Sequence, residues 1–152
     1  MSFGEFLLQT LAAAAGTVAF SVLYGIPGRL YRYCAAVGGM GWLLYLLLKQ
    51  LTAVPESLAV FLATVLVVFL SRSFAVRERC AATVFVTSGV FPLVPGAGIY
   101  WTAWYLISGR SGEALASGMS AVKDVFAIVL GIVVVFELPQ RLFAWIGGGK
   151  RA

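Results

Sequence analysis

Phe91-Pro92-Leu93-Val94-Pro95-Gly96-Ala97-Gly98-Ile99-Tyr100 is the stretch on which the fold turns. It lies inside an apolar run, Cys80 to Ile107, that carries no ionised side chain. That run is longer than the roughly 20 residues one membrane helix needs. Pro92 and Pro95 each lack an N–H, so the carbonyls of Ser88 and Phe91 lose their helical donors. Gly96 and Gly98 have no Cβ and let the backbone turn or pack closely. In hydrocarbon, a freed backbone group is costly unless protein or trapped water satisfies it. Two readings follow. One is a discontinuous helix whose second half starts near Gly96, with its free N–H groups and positive dipole end facing an anionic group. The other is a plain proline kink, which membrane helices tolerate. One proline favours the kink; Pro-x-x-Pro-Gly-x-Gly favours the discontinuous helix.

The rest of the chain has the same apolar character. It has 152 residues, 61% hydrophobic and only 11% charged, with a mean hydropathy of +0.97. Soluble domains carry about 25% charged residues. The expectation is an all-α integral membrane protein, one transmembrane domain over residues 1–152, with no room for a sizeable soluble module. The formal charge is +5. The cations sit in short loops between apolar spans, which is a topology signal and not a nucleic-acid surface. There is no histidine, and Cys34 and Cys80 make no ligand cluster, so neither a metal nor another cofactor is expected. No disulfide is expected between two cysteines on a reducing cytoplasmic side. Met1 to Glu5 has no basic region and does not read as a cleaved signal.

About five spans are expected, at residues 6–24, 34–48, 57–71, 80–107 (the broken one) and 115–136. Tyr24, Tyr31 and Tyr33 cluster with Arg29 and Arg32 after the first span, as at an interface. The second span is short and opens with Ala35, Ala36, Gly38, Gly39 and Gly41. Such residues make a packing face, or they border the cavity of the broken span. The third span is apolar all round, which suggests that it largely faces lipid. Trp101, Trp104 and Tyr105 suit the interface at the end of the fourth. Arg29, Arg32, Arg72, Arg77, Arg79, Arg141, Lys150 and Arg151 then fall on one side, against Lys49, Arg110 and Lys123 elsewhere. That bias puts the N-terminus outside and the C-terminus in the cytoplasm.

Asp124 is the leading polar candidate. The charge-free run Val125 to Phe136 is too short to cross about 30 Å of hydrocarbon. It therefore extends back through Asp124 and Lys123 towards Leu115, because the other direction meets Pro139, Gln140 and Arg141. Asp124 then lies about ten residues into the helix, roughly 13–15 Å along it. An ionisable group at that depth is functional by default, as a substrate contact or proton relay. The competing reading places Asp124 and Lys123 at the outer interface. Glu137 reads as a helix end, pairing with Arg141 or a loop arginine. Thr83, Thr87 and Ser88 either bond back to their own helix or face substrate, with Ser88 the best candidate of the three. Enzyme signatures are missing: there is no histidine base, no nucleophile elbow and no phosphate loop.

At Pro92-Leu93-Val94-Pro95-Gly96-Ala97-Gly98-Ile99-Tyr100 the chain resembles the threonine/serine exporter family. It looks like that family's small membrane module, which in many bacteria is a separate chain acting with a larger membrane subunit. Ile26-Pro27, Gly38-Gly39-Met40-Gly41-Trp42 and Leu138-Pro139 fit the same resemblance. The resemblance implies proton-coupled export of threonine and serine across the bacterial cytoplasmic membrane. A split relative of this kind is associated with succinate, so a dicarboxylate is the alternative cargo; a non-transporting assembly subunit is another. The substrate-binding set implied by motif and chemistry together is Ser88, Pro92, Pro95, Gly96, Ala97, Gly98, Tyr100 and Asp124. The expected partners are the larger exporter subunit, the lipid bilayer and, as a further option, copies of the chain itself.

Overall fold

A computed structural model describes residues 3–52, 54–139 and 143. The described residues form six α-helices and two short 3-10 turns: α1 (Phe3–Leu23), α2 (Tyr31–Leu51), α3 (Glu56–Glu78), α4 (Thr83–Gly89), α5 (Gly96–Ile107) and α6 (Ser111–Phe136). Four helical segments are long and apolar enough to cross a membrane. A fifth crossing results if the bent pair of residues 83–93 and 96–107 counts as one span. The protein is an all-helical membrane protein whose fourth crossing is broken at Pro92 to Gly98.

The helices run past the limits set by the charge-free runs. α2 takes in Tyr31, Arg32 and Tyr33 at one end and Lys49 and Gln50 at the other, so it is 21 residues long. Amphipathic side chains at helix ends keep their polar tips in the interface while the backbone stays helical. α6 starts at Ser111 and has 26 residues. Asp124 is therefore thirteen residues in, about 20 Å along a helix about 39 Å long. The turns between spans are tight. Gly25 takes φ +66 after α1, and Ile26 N–H reaches back to the Ser21 carbonyl. Gly109 takes φ +72 after α5, and Arg110 N–H bonds the Tyr105 carbonyl. Both are left-handed helix caps of the kind glycine adopts without strain.

The third span does not largely face lipid; α3 is the most buried of the spans, with only side chains such as Leu58, Leu62 and Val76 exposed. Ala59, Val60, Ala63, Thr64, Val67, Val68, Ser71, Arg72 and Ala75 are all buried in it. Ala59, Ala63, Val67, Ser71 and Ala75 recur every four residues; Val67 on that stripe meets Gly41 of α2 and Gly89 of α4, while Ser57, Thr64 and Arg72 turn to α6. An all-round apolar helix belongs in a core when small residues give its neighbours room. Lipid tails are as apolar as leucine, so close van der Waals packing of such residues is what holds helices together in a bilayer.

The glycines of α2 make that packing. A Cβ on Gly38 would overlap Thr17 of α1, and one on Gly41 would overlap a Val67 methyl of α3. Gly39 lies against Ala14, where a Cβ would sit 3.3 Å from the alanine methyl. α3 and α6 run in the same direction, since Ser57 meets Asp124, Thr64 meets Gly131 and Arg72 meets Val135. α5 runs against α6 through Gly98 with Ala121 and Thr102 with Gly118. No residue of α5 is buried.

Arg72 is not in a loop. It is a buried residue of α3. Its guanidinium donates to the carbonyls of Val135, Phe136 and Leu138 at the end of α6, at 3.3 Å to Phe136 and 3.0 Å to Leu138. It also lies over the Phe143 ring at 4.2 Å. A cation on the orphan carbonyls at a helix C-terminus satisfies both the hydrogen bonds and the dipole. Glu137 forms the C-cap of α6; its expected partner Arg141 lies outside the described residues.

Candidate functional site

The break is built from three consecutive devices. Phe91 to Leu93 tighten into a 3-10 turn, and the Phe91 carbonyl, which Pro95 deprives of its helical donor, accepts from Val94 N–H at 3.2 Å. Val94 is extended, at φ −63 and ψ 130. Pro95, at φ −75 and ψ 57, is the centre of an inverse γ-turn closed by Gly96 N–H on the Val94 carbonyl at 2.7 Å. α5 then restarts, bent 48° from the first half. The proline kink is thereby set aside: the chain is non-helical for two residues and changes direction.

The Gly96 amide is consumed by this turn. The first helical bond of α5 runs from Ile99 N–H to the Pro95 carbonyl at 3.1 Å. Among the described residues, the amides of Ala97 and Gly98 have no acceptor. Gly98 is small for packing, because a Cβ there would sit 3.1 Å from that of Ala121. Gly96 is different: a Cβ there would meet nothing within 4 Å.

Against the break lies a cavity of about 270 Å³. Its wall on one side is Pro92, Leu93, Val94, Pro95, Gly96, Ala97 and Gly98. Ser117, Ser120, Ala121 and Asp124 of α6 face them, and Trp42, Tyr45, Glu56 and Val60 close the far side. Asp124 is 8% exposed, and its carboxylate accepts from Ser57 Oγ at 2.9 Å. Among the described residues no ion pair reaches it. Glu56, the other acid of the lining, is already neutralised. Lys49 Nζ donates to it at 2.8 Å and Tyr45 Oη at 2.6 Å. Ser117 ties the two walls together by donating to the Gly98 carbonyl at 3.1 Å.

Of the residues singled out from sequence, Pro92, Pro95, Gly96, Ala97, Gly98 and Asp124 come together on this cavity. Ser88 does not line it; it is fully buried under the break, with its hydroxyl near the Val84 and Phe85 carbonyls at 3.4 Å. Tyr100 points away, 61% exposed and edge-on to Trp101. Lys123 is exposed while Asp124 is buried, as a 100° step around a helix allows. Both readings of Asp124 hold a part of the geometry. It is at the middle of its own helix, yet level with the first turn of α3. Sequence reasoning missed Ser117 and Ser120, although their spacing to Asp124 puts all three on one helix face. It also missed Ser57, Trp42, Tyr45 and Glu56, and nothing local signals them: Ser57 is 67 residues from the carboxylate it holds.

A multi-pass helical bundle in which an interrupted crossing borders a partly open cavity of mixed polar and apolar lining fits the architecture of a membrane transporter, with irregular backbone only where it lines a cavity. Residues 9–137 match the family described as threonine/serine exporter, ThrE. The chain belongs to that family. An uncharacterized protein of Haemophilus influenzae is 25% identical over 143 residues, covering 91% of this chain and 48% of the relative. The chain thus spans about half the length of that curated relative. No solved structure matches the chain.

Proposed function

We propose that the chain is a transport subunit that exports small amino acids of the threonine and serine kind, working with a larger partner membrane subunit. The observation that carries this reading is Asp124, a buried carboxylate that lines a cavity and has a hydroxyl for a partner but no cation. An isolated buried charge is expensive, and a cationic partner removes much of that expense. The ammonium group of an amino acid is such a partner. Its carboxylate goes to the amides of Ala97 and Gly98, at the positive end of α5. A zwitterion therefore meets both ends of the cavity with the correct sign, whereas a dicarboxylate of the succinate type would set one of its charges against Asp124. The volume, about 270 Å³, suits a small metabolite.

The partner subunit supplies the remaining wall and the surface against which the broken crossing rocks. The half-length match to the longer relative supports a second module of comparable size. Proton coupling runs through Asp124, which alternates between the ammonium and a proton. The chain resides in the bacterial cytoplasmic membrane with its N-terminus outside, the orientation that keeps Arg29, Arg32, Arg77 and Arg79 in the cytoplasm.

The test is export of labelled threonine and serine from cells expressing the chain with its partner. Asp124→Asn keeps the shape and the Ser57 contact while removing the charge, and export falls to background. Full export by Asp124→Asn would remove the proposed role. The reading as a non-transporting assembly subunit predicts instead that Asp124→Asn leaves export intact while Gly98→Ala weakens assembly.

A further inference from the structure

The first half of α6 carries a polar row that leads away from the main cavity. Glu113, Ser117, Ser120 and Asp124 fall within about 60° of one another around the helix and span about 16 Å along it. Leu115, Met119, Val122 and Phe126, all exposed, occupy the opposite side. Asp124, Ser120 and Ser117 line the main cavity. Ser117 and Glu113 line a second cavity of about 360 Å³, with Ala116 beside them and Trp101 and Tyr105 of α5 across from them. Ser117 is the residue that the two linings share. Arg110 Nε donates to Glu113 at 2.8 Å, so the second cavity offers both signs of charge to a zwitterion. The hydrogen bond of Ser117 is unlike those of most hydroxyls in the bundle. Serine and threonine inside a helix commonly bond back one turn to their own backbone, and Thr17, Ser21, Thr64 and Ser71 do so. Ser117 reaches across to the Gly98 carbonyl of α5 instead, at 3.1 Å. That carbonyl also accepts from Thr102 Oγ1 at 2.7 Å. It therefore stays satisfied when Ser117 lets go, and the bridge opens without orphaning an acceptor. No residue of α5 is buried, so little packing holds the seam closed.

We propose that Ser117 is a gate between the two cavities, and that the second cavity is the vestibule through which the substrate leaves. The inference rests on the proposed function for the cargo and for the work of the main cavity, and it goes beyond it by naming the route. A substrate held between Asp124 and the amides of α5 meets Ser120 and then Ser117, each about one turn further along α6. With the Ser117–Gly98 bridge closed, α5 and α6 are tied together at that level. Opening it joins the main cavity to the vestibule and frees a hydroxyl that can donate to the passing carboxylate or accept from the ammonium. The proposed orientation puts the turn between α5 and α6 outside, so the polar row runs in the direction of export.

The experiment places single cysteines in the Cys34→Ala/Cys80→Ala background, with the partner present, and blocks the route after folding. A sulfonated maleimide that does not cross the bilayer is added to intact cells and to inside-out vesicles, so that either face is reached. Transport of labelled serine by each variant is compared with its own rate before reaction. Ala116→Cys, on the vestibule wall, is expected to react, and its transport to fall to background once the adduct fills the passage. Ser111→Cys, on the far side of α6, reacts without that loss. Ser117→Ala keeps the size of the side chain and removes the bridge. It is expected to speed labelling of Ser120→Cys about two- to tenfold, the weight of one neutral hydrogen bond holding the closed form; a purely structural serine would not move that rate. Full transport after complete reaction at Ala116→Cys, or no reaction there from either face, overturns the route. A Ser120→Cys rate that Ser117→Ala leaves unchanged overturns the gate. In either case an inactive Asp124→Asn leaves the proposed function standing, whereas full transport by Asp124→Asn overturns that function. If Ala116→Cys accumulates poorly, Tyr105→Cys on the opposite wall of the vestibule carries the same readout.

Discussion

Gly41 and Val67 mark the point where α2, α3 and α4 meet, and a double substitution there tests the packing that positions the break. A Cβ on Gly41 would overlap one Val67 methyl, Cγ2, while Val67 Cβ at 3.9 Å and the Ala63 carbonyl at 4.0 Å are in ordinary contact. Val67 is fully buried, and its other methyl lies against Gly89 of α4, so it has little room to yield. Gly41→Ala gains about 1 kcal/mol of helix propensity and meets an overpacking cost of about 1–3 kcal/mol. Full overlap with a confined methyl puts the cost at the upper end, so the net loss is about 1–2 kcal/mol. Val67→Ala alone removes two methyls from a sealed core and costs about 1–3 kcal/mol. In the double variant the new Cβ fills part of the space that the valine vacates. The coupling is therefore favourable by at least about 1 kcal/mol, well outside the few tenths expected of independent sites. The assay is reversible unfolding in detergent for all four members of the cycle. Strictly additive losses would show that Gly41 does not pack on Val67.

Other substitutions test other contacts. Gly96→Ala, with open space around its Cβ, leaves stability unchanged or raises it by up to about 1 kcal/mol in the same unfolding assay, and any effect on export is then a cavity effect. Arg72→Met removes the donor to three carbonyls at the end of α6 and destabilises the fold by about 2–4 kcal/mol, whereas Arg77→Met stays within about 0.5 kcal/mol. Lys49→Met breaks an ion pair whose side chains are 52% and 48% exposed, so it costs less than about 1 kcal/mol of stability. Burial, with Glu78 nearby, pushes the Cys80 thiol above its ordinary range. Less thiolate is then present at neutral pH, so maleimide labelling of Cys80 in the Cys34→Ala variant is slower than for a free thiol at pH 7. The rate climbs as pH passes the usual thiol range, and a rate equal to that of free cysteine at pH 7 would contradict this.

Composition made the class of the protein legible, and the spacing of prolines and glycines located the break to within a few residues. The reason is local: a missing N–H at Pro92 and Pro95 acts whatever the rest of the fold does. The role of α3 was not legible, because an all-apolar helix has the same pattern whether it faces lipid or core. The small residues at positions 59, 63, 71 and 75 were the available clue. Arg72 was misread for a related reason. A charge normally ends a span, and only the fold shows that the end of α6 offers three carbonyls to receive it. Asp124 stood out by chemistry, while Ser57 and Trp42 reach the same cavity from distant sequence through helix packing alone.

The central claim is that the interrupted crossing opens its restart onto a water-accessible cavity shared with Asp124. Ala97 is exposed on that cavity, so the most direct measurement is labelling of Ala97→Cys in the Cys34→Ala/Cys80→Ala background with a charged, membrane-impermeant thiol reagent, with and without serine. The account predicts labelling that serine slows, and loss of that protection when Asp124→Asn is added. A thiol at position 97 that never reacts, or reacts equally with and without serine while export continues, would contradict it.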